Sequence, residues 1–153
     1  MNMKRILIYI LSAAVCLLTS CEKEKTLAEK LMGDWHCTAV STEAEIYATF
    51  TAENTFVLYQ QIGEGAFRVY NGTYELAVQD GTDALAVLTG RYNDGTEWGA
   101  SYKVTSLDDT SMTLAAEGVT ETYTRIDGGI PEEVTASCVT VVKSESDEEA
   151  PFL

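Results

Sequence analysis

The sequence predicts an all-β protein, an eight-stranded antiparallel up-and-down barrel with a short N-terminal helix and a ninth strand near the C-terminus. Three observations predict it. Short runs of Thr, Val, Tyr and Phe alternate apolar with polar residues, which is the pattern of a sheet with one dry face. The connections between runs are short and turn-rich, so each strand pairs with its predecessor and no gap admits a crossover helix. The chain has 153 residues, 46% of them hydrophobic, enough for one core and one domain. A meander with a single apolar face hides its edges best by closing on itself, with a two-sheet sandwich as the alternative.

Residues 1–20 carry Lys4 and Arg5 and then an apolar run, 6–18, in which Ser12 is the clearly polar residue. This is the layout of a secretory signal, and the run is too short for a membrane span of about 20 residues. On these residues alone, Cys21 is either a modified position or a bystander. Leu18-Thr19-Ser20-Cys21 resembles the bacterial lipoprotein box: an aliphatic residue, two small ones, then the cysteine that is acylated and becomes the new N-terminus. The resemblance implies lipidation of Cys21 by palmitate-type chains. It also implies a Gram-negative envelope protein anchored to the outer membrane, at the periplasmic face or the cell surface. Residues 21–25 then form a charged spacer, Glu22-Lys23-Glu24-Lys25. The net charge of −14 falls by two more when Lys4 and Arg5 leave. Such a surface excludes nucleic acid as a partner and leaves basic proteins and neutral or apolar ligands.

The elements of the barrel domain, 26–130, follow in order. Thr26 and Glu29 have capping-box spacing, and Gly33 stands where a short helix would end. From Trp35 the period becomes two, giving strands at 35–42, 44–51, 55–62, 67–79, 84–92, 98–106, 111–117 and 119–126. Connections at 52–54, 63–65, 79–83, 93–96, 107–110 and 117–118 read as turns. Within strands, Ile46, Ala48 and Phe50 share a face, as do Phe56 and Leu58, and Trp98, Ala100, Tyr102 and Val104. Gly72 reads as a bulge or bend within its strand. Residues 131–143 suggest the extra strand, with Val134, Ala136, Cys138 and Val142 on one face, and 144–153 an acidic disordered tail.

Gly33-Asp34-Trp35, at the junction of helix and first strand, resembles the Gly-x-Trp motif of the lipocalin and wider calycin families. The resemblance spans about residues 31–127 and implies that Trp35 closes the base of a compact lipocalin-like barrel. It further implies that Arg125, in Tyr123-Thr124-Arg125, packs across that indole. The Thr-Asp-Tyr motif of that family, between strands six and seven, is absent here. The family function implied is the binding of a small hydrophobic molecule. Phe50, Phe56, Trp98 and Tyr102 are the candidates to line such a site, although the same aromatics could equally fill the barrel.

No catalytic set stands out. His36 is the single histidine and is expected to point to solvent, so neither a metal site nor a nucleophile with its base is available, and no cofactor is expected. Cys16 leaves with the leader and Cys21 carries lipid, which leaves Cys37 and Cys138. An oxidising envelope allows them to form a disulfide, and two separate buried thiols are the alternative. The reading is therefore a non-catalytic lipid-anchored binding protein. Its rivals are a module or inhibitor capturing a basic protein through its acidic surface, and a structural envelope subunit with a filled barrel.

Overall fold

Alternating burial decides how this chain closes. The structure, a computed structural model, describes residues 23–39, 43–81 and 83–140. The leader, Cys21, residues 40–42 of the first predicted strand, 141–143 with Val142, and the acidic segment 144–153 lie outside the described residues. Helix α1 (Leu27–Leu31) precedes strands β1 (Gly33–Ala39), β2 (Ala44–Phe50), β3 (Thr55–Ile62), β4 (Arg68–Val78), β5 (Ala86–Tyr92), β6 (Tyr102–Leu107), β7 (Ser111–Ala116) and β8 (Val119–Ile126). A second helix, α2 (Glu132–Ala136), and a two-residue strand, β9 (Val139–Thr140), follow.

The strands pair antiparallel in the order β3-β2-β1-β8-β7-β6-β5-β4, and pairing of β3 with β4 closes the ring. The fold is thus an eight-stranded up-and-down barrel, the lipocalin architecture, and not a sandwich. In β2, Ala44, Ile46, Ala48 and Phe50 are buried while the residues between them are partly exposed, as period two requires. β7 and β8 are joined through Glu117 and Gly118, both at positive φ, 53° and 84°. That is the type I′ geometry whose twist matches a two-residue hairpin. In β6 the register against β7 shifts between Val104 and Ser106. This bulge turns Leu107, which strict alternation would send outward, into the core.

Three expectations change. Residues 98–101 keep the in-out alternation but lie outside the ladder: β6 starts at Tyr102 and pairs with β5 only over Ala86–Leu88. The stretch 131–143 is not one strand. Its first half is α2, because Pro131 sets a helical φ of −55° at the cap and Glu132 and Glu133 occupy the first turn, where the helix dipole favours acids. The remnant, β9, pairs parallel with Arg68 and Val69 of β4. Gly72 is no bulge either. It sits in register with Phe56 and Tyr92, and a Cβ there would lie 2.0 Å from the Arg91 carbonyl oxygen, so glycine permits close strand approach.

Candidate functional site

The base of the barrel is built on α1. Thr26 caps the helix by accepting from the Glu29 amide, and the Glu29 carboxylate accepts from the Thr26 amide at 2.7 Å. A five-residue helix leaves its last carbonyls unpaired, and two side chains take them up. The Trp35 indole N–H donates to the Leu31 carbonyl at 2.8 Å. Arg125 donates to the Met32 carbonyl at 2.7 Å, to that of Lys30, and to that of Asp109 at 2.6 Å. Its guanidinium carbon lies 4.2 Å from the centre of the fully buried Trp35 ring. Gly33, at φ 122°, clears the way, since a Cβ there would lie within 2.3 Å of the Arg125 guanidinium. Gly33, Trp35 and Arg125 therefore do meet, and their arrangement plugs one end of the barrel. Ala48, directly opposite Trp35 on β2, leaves the indole its space.

Phe50, Phe56 and Tyr102 are fully buried and Trp98 nearly so. Their rings pack on one another and on Tyr74. Phe56 meets Trp98 edge to face at 5.0 Å, Trp98 meets Tyr102 at 5.8 Å, and Phe50 meets Tyr74 at 5.1 Å. These are favourable aromatic geometries within a packed interior. Gly90 makes it possible, because a Cβ there would lie 2.2 Å from the Trp98 ring.

A pocket of about 340 Å³ opens where the β5–β6 ladder stops. Above Leu88 the wall is completed by the segment from Glu97 to Ser101: the Trp98 amide donates to the Gly90 carbonyl at 2.9 Å, and Arg91 bridges to Glu97. Tyr74, Gly90, Trp98 and Ala100 form the inner lining. The rim is polar. Thr73 with Arg91, and Glu75 with Thr89, are cross-strand pairs of β4 and β5, and Glu97 and Ser101 join them. Arg91 holds Glu97 through a 2.7 Å ion pair. Of the four predicted ligand residues only Trp98 lines this pocket. Phe56 and Tyr102 back Trp98, and Phe50 backs Tyr74. The pocket was not legible in the sequence because it exists where a ladder ends, which no local pattern marks.

The remaining chemistry is sparse. His36 does face outward on β1, but half-covered: its ring stacks on Tyr47 at 4.5 Å and its Nε2 lies 2.5 Å from a Glu45 carboxylate oxygen. Gln60 and Glu121 are buried polar residues that the alternation places inside, and Glu121 adds its charge to the burial that pushes the Cys37 thiol up to about 12. Cys37 and Cys138 are both free thiols. The disulfide considered from the sequence is not formed, because Cys37 faces the core between Trp35 and Ala39 while Cys138 follows α2, beside the outward-facing Tyr59. Among the described residues no group of three His, Cys, Asp or Glu could hold a metal ion. Among them, too, no helix is long and apolar enough to cross a membrane.

No family model and no curated protein matches the chain. Two solved structures are similar to it. One is the NMR structure of a protein from Bacteroides uniformis, 14% identical, covering 64% of this chain and 90% of that one, with a TM-score of 0.48. The other is the crystal structure of a lipocalin-like protein from the same organism, 15% identical, covering 63% of this chain and 99% of that one, with a TM-score of 0.44.

Proposed function

We propose that this chain is a cell-envelope lipoprotein, tethered through Cys21, whose lipocalin-like barrel binds one small ligand in the wall pocket beside Trp98 and catalyses nothing. The pocket carries the reading. Its volume of about 340 Å³ falls at the lower end of small-molecule sites, about 300–1,000 Å³, and it combines aromatic lining with convergent polar groups. The interior gives a deep apolar ligand little room, since Phe50, Phe56 and Tyr102 pack against the rings that line the pocket. The rim's chemistry supports the non-catalytic reading: His36 lies away on β1, and the two carboxylates of the pocket, Glu75 and Glu97, stand exposed at its edge, Glu97 tied to Arg91. The tether rests on the resemblance of residues 18–21 to a lipoprotein box.

Two measurements test this. Growth with an alkyne-tagged palmitate should label the protein and not its Cys21→Ala variant, and equal labelling of both would exclude the anchor. Native mass spectrometry of the protein, extracted from its own envelope in mild detergent, should show a small-molecule adduct lost on denaturation. A bare protein that also ignores soluble ligand libraries would overturn the binding role.

A further inference from the structure

Building on the reading of this pocket as a ligand site, we infer that its occupant is a neutral polyhydroxylated ring, a saccharide unit. The lining decides the class by elimination. A hydrocarbon would cover the Glu75 carboxylate without hydrogen-bonding it, and a covered polar group left unsatisfied opposes binding. An anion meets two carboxylates against one guanidinium at the rim and a chain of net charge −14. A simple amine would use Glu75 and leave the Arg91 donors and three hydroxyls, Thr73, Thr89 and Ser101, without a role. A sugar uses all of them. Its hydroxyls donate to Glu75, which has no ion-pair partner among the described residues, and accept from Arg91. The Arg91–Glu97 ion pair at 2.7 Å brings an acceptor and a donor side by side at the rim, within reach of adjacent hydroxyls. Trp98 and Tyr74, 7% and 5% exposed, give the pocket an aromatic floor for the C–H groups of the sugar to rest against.

The test is amide and indole NMR of the full-length protein in detergent micelles, titrated separately with N-acetylglucosamine, cellobiose, butylamine and laurate. A saccharide should move the Thr89, Gly90, Arg91, Glu97 and Trp98 signals saturably. Glu75→Ala and Arg91→Ala should each weaken that binding at least tenfold, with the rest of the spectrum unchanged because both side chains are exposed. Saturable shifts at these signals from laurate or butylamine and not from the sugars would overturn the ligand class and leave the pocket standing as a binding site. No shift from any of the four would overturn both readings.

Discussion

Cys37 and Cys138 show how one wall separates two chemistries. Burial pushes the Cys37 thiol up to about 12, whereas Cys138 lies partly exposed after α2. Iodoacetamide should therefore alkylate Cys138 in the native protein and reach Cys37 only after denaturation, as peptide mapping would reveal; equal labelling without denaturant would contradict the inward Cys37. Burial also raises Tyr74, Tyr92 and Tyr123 above their ordinary value of 10.0. A raised acid keeps its proton in the fold while the unfolded chain loses it, so stability is complete below pH 9 and falls as pH climbs towards 12. Melting temperatures across pH 8–12 should show that decline, and a flat profile would contradict it. Arg125 contributes through its fork as well as its charge. Arg125→Lys keeps the charge and loses the parallel donors to Lys30 and Met32, so chemical denaturation should record a loss of about 1–3 kcal/mol. Motif spacing in the sequence marks Gly33, Trp35 and Arg125. It is silent on the proximity of His36 to Glu45, which depends on the β1–β2 register bringing distant positions together.

At the scale of elements, legibility follows locality. Strands whose faces alternate and whose turns carry their own signals, such as β3 and β8, agree with the sequence to the residue. Where an element depends on a neighbour the reading slips. The alternation of residues 98–101 persists without a ladder, and the β-branched residues at 134 and 135 yield to Pro131 and two acids. The β7–β8 hairpin offers a direct check. Glu117 sits at φ 53°, a conformation that glutamate adopts at a cost and asparagine tolerates well. Glu117→Asn should raise stability by about 0.5–1 kcal/mol in urea unfolding, and a destabilised variant would argue against the type I′ turn.

For the whole molecule the question is whether the barrel is a container or a frame. Phe56 touches Trp98 and Tyr92 deep in the core, so Phe56→Ala should cost about 3–5 kcal/mol, as truncation in a filled interior does. A loss under 1 kcal/mol would mean that the interior already holds space. A frame of this kind leaves recognition to its outside. Capture of a basic protein by the acidic surface would then betray itself by weakening steeply with salt, which a neutral ligand in the wall pocket would not do.

The way the ring closes also dictates when it can form. Arg125 reaches the Met32 carbonyl across 93 residues, and β1 meets its second neighbour only in β8. An emerging chain must therefore hold the first strand half-partnered until the last one has been made, and loop closure over that span must precede any reward from the final pairing. Folding should be slow for a domain of this size, in the millisecond-to-second range of all-β topologies. A chain whose ring stays open until β8 has been made completes the Trp35 seal as one of its last acts.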